Sequence, residues 1–222
     1  MKNEEKRILE NAKLVFEKVF TNPQNSHILI GFINDVLELD VTEVGTIENT
    51  YNMTAFHEES KKPDDRQQHV SVLAKRGDGS QVIIEMQIYG QDLVRDQALL
   101  HTLKDYVMKC VLCGMGKSAK ENLRGGQEHL AYIPVYCVNI MVENEFPKDA
   151  ISLREFTFYD EKHDICIVNE RSEDLVTMVC LELNKPSEEM KKNARAWMDY
   201  LRTGEVTKEA PAYLQKVCIQ TE

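Results

Sequence analysis

Residues 69–87 read HVSVLAKRGDGSQVIIEMQ, two alternating runs on either side of Gly77-Asp78-Gly79. This is the pattern of a β-hairpin: side chains alternate with period two along each run, and the Gly-Asp-Gly triplet supplies the turn. A three-residue turn pairs Ala74 with Val82, Val72 with Ile84 and Val70 with Met86 on one face. The opposite face then pairs Lys75 with Gln81, Leu73 with Ile83, Ser71 with Glu85 and His69 with Gln87. A two-residue turn would set Val72 against Glu85 and mix apolar and charged positions on both faces. A slip of one residue exchanges the buried and exposed sets, so the three-residue register is the expected one. It gathers His69, Ser71, Glu85 and Gln87 into one polar cluster.

Glu85 interrupts the apolar strand Val-Ile-Ile-Glu-Met-Gln. Carboxylates are seldom buried without a partner or a metal. Two readings follow: Glu85 faces solvent on a half-exposed strand, or it is a ligand for a divalent cation, since Mg²⁺ prefers oxygen donors and usually takes one or two carboxylates.

Upstream, Ile8, Leu9, Ala12, Val15, Phe16, Val19 and Phe20 recur at helical spacing until Thr21-Asn22-Pro23 stops them. Ser26 is placed to cap a second helix that buries Ile28, Leu29, Phe32, Ile33, Val36 and Leu37. Residues 43–50 read as a short strand, and 52–68 as a polar loop. Downstream, 91–113 reads as a long helix and the Gly/Lys/Glu-rich 114–128 as a mobile loop. Ile133–Met141 is a nearly continuous apolar run, as for a strand covered on both faces. Phe156–Tyr159, Ile165–Val168 and Leu175–Leu183 are further strand candidates. A last helix follows Pro186-Ser187, with Met190, Ala194, Trp197, Met198 and Leu201 on one face and Gly204 at its end. The expected architecture is one α/β domain over 1–222: a central mixed β-sheet of four to six strands flanked by helices, with a C-terminal helix at 186–204.

With 222 residues, 42% of them apolar and 29% charged, the chain has the balance of an ordinary globular domain. No apolar run reaches the ~20 residues that span a bilayer, and the start, MKNEEKR, has no leader character. The six cysteines, Cys110, Cys113, Cys137, Cys166, Cys180 and Cys218, are scattered without a framework. Free thiols in a reducing cytoplasm are therefore expected. The net charge of −10 argues against broad nucleic-acid binding and leaves room only for a locally basic groove. Lys104, Lys109, Lys117, Lys120 and Arg124 form one such basic stretch, read either as a DNA-facing edge or as solvated side chains.

On the hairpin and the segments around it, the chain resembles the PD-(D/E)XK family of recombination-promoting nucleases and putative transposases. The resemblance is carried by Leu14–Phe20, the Leu29–Leu37 helix, the hairpin ending Ile84-Glu85-Met86-Gln87, the apolar strand after Pro134 and the Trp197 helix. It implies a restriction-endonuclease-like core and metal-dependent cleavage of DNA, with Mg²⁺ or Mn²⁺ as cofactor. The family shows an Asp on the first hairpin strand, a short Asp-Gly-type turn, then Ile-Glu-x-Gln, with Gln where other PD-(D/E)XK enzymes have Lys. The resemblance thus assigns Glu85 to the metal and Gln87 to orienting water or phosphate.

The departures fall on the chemistry. Ser71 occupies the position of the family's strand Asp, and the first helix reads Lys13 and Phe16-Glu17 where the family has Asp and then Phe-Lys. A hydroxyl is a poor substitute for an anion at a Mg²⁺ site. His69 is the stand-in candidate, suited to Mn²⁺ or Zn²⁺, and Glu58, Glu59, Asp64 or Asp65 could reach in from the preceding loop. The expected function is a DNA endonuclease or a catalytically impaired relative. The alternative is a non-catalytic DNA- or protein-interaction module, including one that binds another copy.

Gly114-Met115-Gly116-Lys117-Ser118 has the ending of a phosphate-binding loop, but Val111 stands where its first Gly belongs, so no nucleotide cofactor is expected. Cys110-x-x-Cys113 is a lone pair on an apolar helix stripe and reads as core. The six histidines show no metal-ligand spacing.

Overall fold

The computed structural model describes residues 3–48, 68–89, 133–146, 149–166, 168 and 171–216. The long helix expected at 91–113, the loops at 52–67 and 114–128, and the motifs within them lie outside these residues.

Helix α1 spans Asn3–Val15 and runs into a π-helical turn over Phe16–Phe20. The apolar stripe is buried except for Leu9, which is half-buried: Ile8, Ala12, Val15, Phe16, Val19 and Phe20 are all within 3% of full burial. A 3₁₀ turn at Pro23–Asn25 leads into helix α2, Ser26–Leu37. The cap differs from the sequence expectation. Asn22 caps the 3₁₀ turn by accepting from the Gln24 N–H at 3.0 Å, and Ser26 is already inside α2. Pro23 at the first position of the short turn moves the capping role upstream of Ser26.

The strands are β1 (Val41–Glu48), β2 (Gln68–Arg76), β3 (Gln81–Tyr89), β4 (Val135–Met141), β5 (Leu153–Phe156), β6 (Tyr159–Asp160), β7 (Ile165–Cys166) and β8 (Val176–Glu182). Six of them form one mixed sheet in the order β1-β2-β3-β4-β8-β5, and β6 and β7 form a separate ribbon. The β1-β2-β3 meander is antiparallel, whereas β3, β4 and β8 run parallel. The expected strand at Phe156–Tyr159 divides between β5 and β6, and Val168 forms only an isolated bridge with Asp174.

The hairpin register agrees with the three-residue turn: Val70 faces Met86, Ser71 faces Glu85, Val72 faces Ile84 and Ala74 faces Val82. Gly79, at φ 84°, takes the left-handed position of the turn, which only glycine adopts without cost.

One sheet face is covered by helices. Helix α3, Lys192–Thr203, is packed against α1 and α2, and Gly204 at φ 75° closes it with its N–H on Tyr200 O at 2.8 Å. Trp197 sits at the centre, with the rings of Phe20, Phe32, Tyr200 and Tyr213 around it. A short helix that the sequence did not reveal, α4 (Ala212–Gln215), seats Tyr213 on α2. This helical layer buries Val70, Val72, Ala74, Val82, Ile84, Met86 and Ile88, so alternation sends Ser71, Ile83, Glu85 and Gln87 to the opposite face.

Candidate active site

On that opposite face, two rows of in-register residues cross the sheet. The first runs Ser71, Glu85, Cys137 and the second Gln87, Asn139, Cys180, with Glu48 paired to Ser71 and His69 to Gln87 in backbone register. Around them, Ile83, Val135 and Cys137 form one apolar cluster, and Met141, Met178 and Cys180 form another. Polar side chains held between apolar clusters are poorly hydrated, so each must find its partners within the protein.

Glu85 is fully buried, which overturns the solvent-facing reading of this position. The Ser71 hydroxyl donates to Glu85 Oε1 at 2.8 Å, and Ser71 is itself buried. A hydrogen bond to a carboxylate removed from water is among the stronger neutral–charged contacts, and here it joins the two residues that the hairpin sets directly opposite.

Gln87 is also buried, and its Nε2 donates to Asn139 Oδ1 at 2.9 Å. Asn139, from the middle of the apolar run, is fully buried, and its Nδ2 donates to Cys137 O at 3.0 Å and Val179 O at 3.1 Å. The sequence reading missed Asn139. The signal was the one that flagged Glu85, a polar residue inside an otherwise apolar strand.

Ser71, Glu85 and Gln87 therefore lie together on one face, as neighbours across or along the hairpin. His69 stands opposite Gln87 by backbone register, while its side chain lies outside the described residues. Glu58, Glu59, Asp64 and Asp65 lie outside them altogether. Glu17 is exposed on the π-helical turn.

The donors present are hard oxygens: the Glu85 carboxylate, the Ser71 hydroxyl and the Gln87 amide. They fit a divalent cation such as Mg²⁺ or Mn²⁺ in ligand type, with Glu85 the one carboxylate. Among the described residues there is no group of three or more His, Cys, Asp or Glu side chains that could hold a metal. Glu85 and Gln87 would hold such a cation, and the cation would supply a Lewis-acidic positive charge at that point.

A second buried polar cluster lies at the far end of the same face, beyond Met141. Glu182 is fully buried, accepts from the backbone N–H groups of Glu145 (2.6 Å) and Phe146 (3.0 Å), and lies 2.6 Å from Lys185 Nζ. Lys185 also reaches Asp149 Oδ1 at 3.2 Å, and Asp149 pairs with Arg154. The Arg154 hydrogen bond holds the Asp149 carboxyl well below its usual range, at about 2. Burial, with the Glu182 charge beside it, pushes the Cys180 thiol up to about 12, so Cys180 stays protonated and inert. Cys180 is a buried free thiol and Cys166 an exposed one, and Cys137 is buried.

Compared with known proteins, residues 12–221 match the family model described as PD-(D/E)XK nuclease family transposase. No curated protein and no solved structure matches the chain. No helix among the described residues is long and apolar enough to cross a membrane.

Proposed function

The chain belongs to the PD-(D/E)XK nuclease family transposases, and from that premise we propose that it is a DNA-directed nuclease domain with an impaired cation pocket. The observation that carries this reading is the Ser71 hydroxyl at 2.8 Å from Glu85, in the position where the resemblance places the family's Asp. Two unit charges 4 Å apart interact by about 4 kcal/mol at the dielectric typical of pairs near a protein surface. Even a third of that, lost from a site for a dication, weakens binding roughly tenfold.

In this reading Glu85 is the anionic ligand of a Mg²⁺ or Mn²⁺ ion, Gln87 occupies the position of the superfamily's Lys, and Ser71 replaces an anion with a neutral hydroxyl. His69, in register with Gln87, is the further candidate ligand. The substrate class is the DNA phosphodiester, and the reaction is hydrolysis, much slower than in a relative with two carboxylates.

A second reading, a non-catalytic interaction module on the same scaffold, is favoured by a separate feature. Ile151, Phe156, Phe158, Tyr159, Ile165 and Val168 are all exposed along edge strand β5 and the β6–β7 ribbon. Where such side chains adjoin in one patch they mark a contact site.

Plasmid incubated with the protein and Mg²⁺ or Mn²⁺, beside Glu85→Ala, separates the two readings. Slow nicking that disappears in Glu85→Ala supports the impaired nuclease. No nicking with either metal supports the interaction module.

A further inference from the structure

Gln87 and Asn139 form a buried pair whose amide orientations are fixed by what lies behind them. A backbone carbonyl only accepts hydrogen bonds, so Asn139 must turn its NH₂ toward Cys137 O and Val179 O, 3.0 and 3.1 Å away. Both of its hydrogens have a partner there, and its Oδ1 is left facing β3. An oxygen acceptor in that position demands a donor, so Gln87 must present Nε2, which lies 2.9 Å away. The relay runs from the β8 backbone through Asn139 to Gln87, and every member is almost completely buried.

We infer that Asn139 is a positioning residue: it pins the Gln87 amide nitrogen against β4, so that Gln87 serves the Glu85 pocket through its carbonyl oxygen. This inference rests on the cation-pocket reading of Glu85 and deepens it. The superfamily's Lys at this position is a pure donor with a positive charge, suited to phosphate. Gln87 held in this way has its carbonyl oxygen and a second N–H for other contacts, and the oxygen is the group that a cation at Glu85, two positions away on the same strand face, can use. Hard oxygen donors select a divalent cation, not an anionic phosphate group. Asn139 acts on the pocket without touching the ion, as the partners that orient metal ligands do.

The test is a titration of the full chain with Mn²⁺ alone, read by electron paramagnetic resonance of the free ion. Variants are Glu85→Ala, Gln87→Met, Asn139→Leu and the Gln87→Met/Asn139→Leu double substitution. Gln87→Met and Asn139→Leu should each weaken Mn²⁺ binding by about tenfold, and the double variant should bind no more weakly than Gln87→Met alone. Wild-type affinity in Asn139→Leu, or effects that add in the double variant, overturns the inference while leaving the Glu85 pocket intact. Wild-type affinity in Glu85→Ala removes the pocket itself and the inference with it.

Should Asn139→Leu not fold, side-chain amide exchange in the wild-type protein decides. The Gln87 amide resonances, identified by their loss in Gln87→Met, should persist in D₂O after exposed side-chain amides have exchanged. Immediate exchange overturns the inference.

Discussion

Lys185 and Glu182 form a fully buried ion pair, with Lys185 Nζ 2.6 Å from Glu182 Oε2 at the end of β8. The Glu182 carboxylate also accepts two backbone N–H groups from residues 145 and 146, so it ties the β4 exit to β8. An arrangement of this kind is costly to break from one side, because the remaining charge stays in a poorly hydrated interior. Lys185→Met should therefore destabilise the protein by about 3–5 kcal/mol in a urea titration. Adding Glu182→Gln should recover a large part of that loss, since the stranded charge is then gone. Equal stability of Lys185→Met and wild type would mean that the pair is solvated in solution.

Gly31 lies on the α2 face on which Tyr213 rests, and a Cβ at this position would overlap the Tyr213 ring. Gly→Ala inside a helix normally stabilises by roughly 0.5–1 kcal/mol. Here overpacking should reverse the sign, costing about 1–3 kcal/mol. Trp197, the only tryptophan, has its ring 6.4 Å from Tyr213, so Gly31→Ala should also shift its fluorescence as α4 is displaced. A higher melting temperature with unchanged fluorescence would show that α4 does not dock on α2.

Ser71→Ala removes the donor to a buried carboxylate without changing the strand pattern. The expected loss is about 2 kcal/mol, the usual worth of a hydrogen bond to a charged group. Ser71→Thr keeps the hydroxyl and should lose less. If denaturation of Ser71→Ala coincides with wild type, the hydroxyl contributes nothing to holding Glu85.

Asp149 gives the acid limb a defined direction. Its hydrogen bond from Arg154 lowers the folded-state carboxyl from 3.8 to about 2. A lowered folded value means the stabilisation is present above the unfolded value and is lost as pH falls through the folded one. The loss should fall between pH 3.8 and about 2. Asp149→Asn should flatten that part of a stability–pH curve measured by circular dichroism. An unchanged acid limb would place the Arg154 contact in solvent, where it is screened.

The sheet was legible in the sequence wherever alternation or a continuous apolar run left one arrangement. The pairing of Val70 with Met86 and Ala74 with Val82 follows from burying a single face, and the Trp197 helix follows from its stripe and Gly204. The capping of α2 was misread because Pro23 starts a 3₁₀ turn whose cap is Asn22, and a short-range pattern does not distinguish that from a cap at Ser26. Helix α4 was missed because four residues are too few to show a period. At the candidate site, the neighbours Ser71 and Glu85 were readable because a hairpin fixes them locally. Burial of Glu85 and the Asn139 relay behind Gln87 depend on β4 and β8, which follow the hairpin at long sequence separation: Asn139 is marked locally as a polar residue in an apolar run, but its partners are not.

Ser71 stands where a second carboxylate would complete the pocket, and Ser71→Asp restores that charge. Plasmid cleavage should be compared for wild type, Ser71→Asp and Ser71→Asp/Glu85→Ala, with the Mg²⁺ affinity of each determined in parallel. Ser71→Asp should bind Mg²⁺ more tightly, cleave at least about tenfold faster than wild type, and lose both gains when Glu85 is removed. Wild-type cleavage as fast as that of Ser71→Asp, and insensitive to loss of Glu85, would rule out an impaired pocket at Ser71 and Glu85.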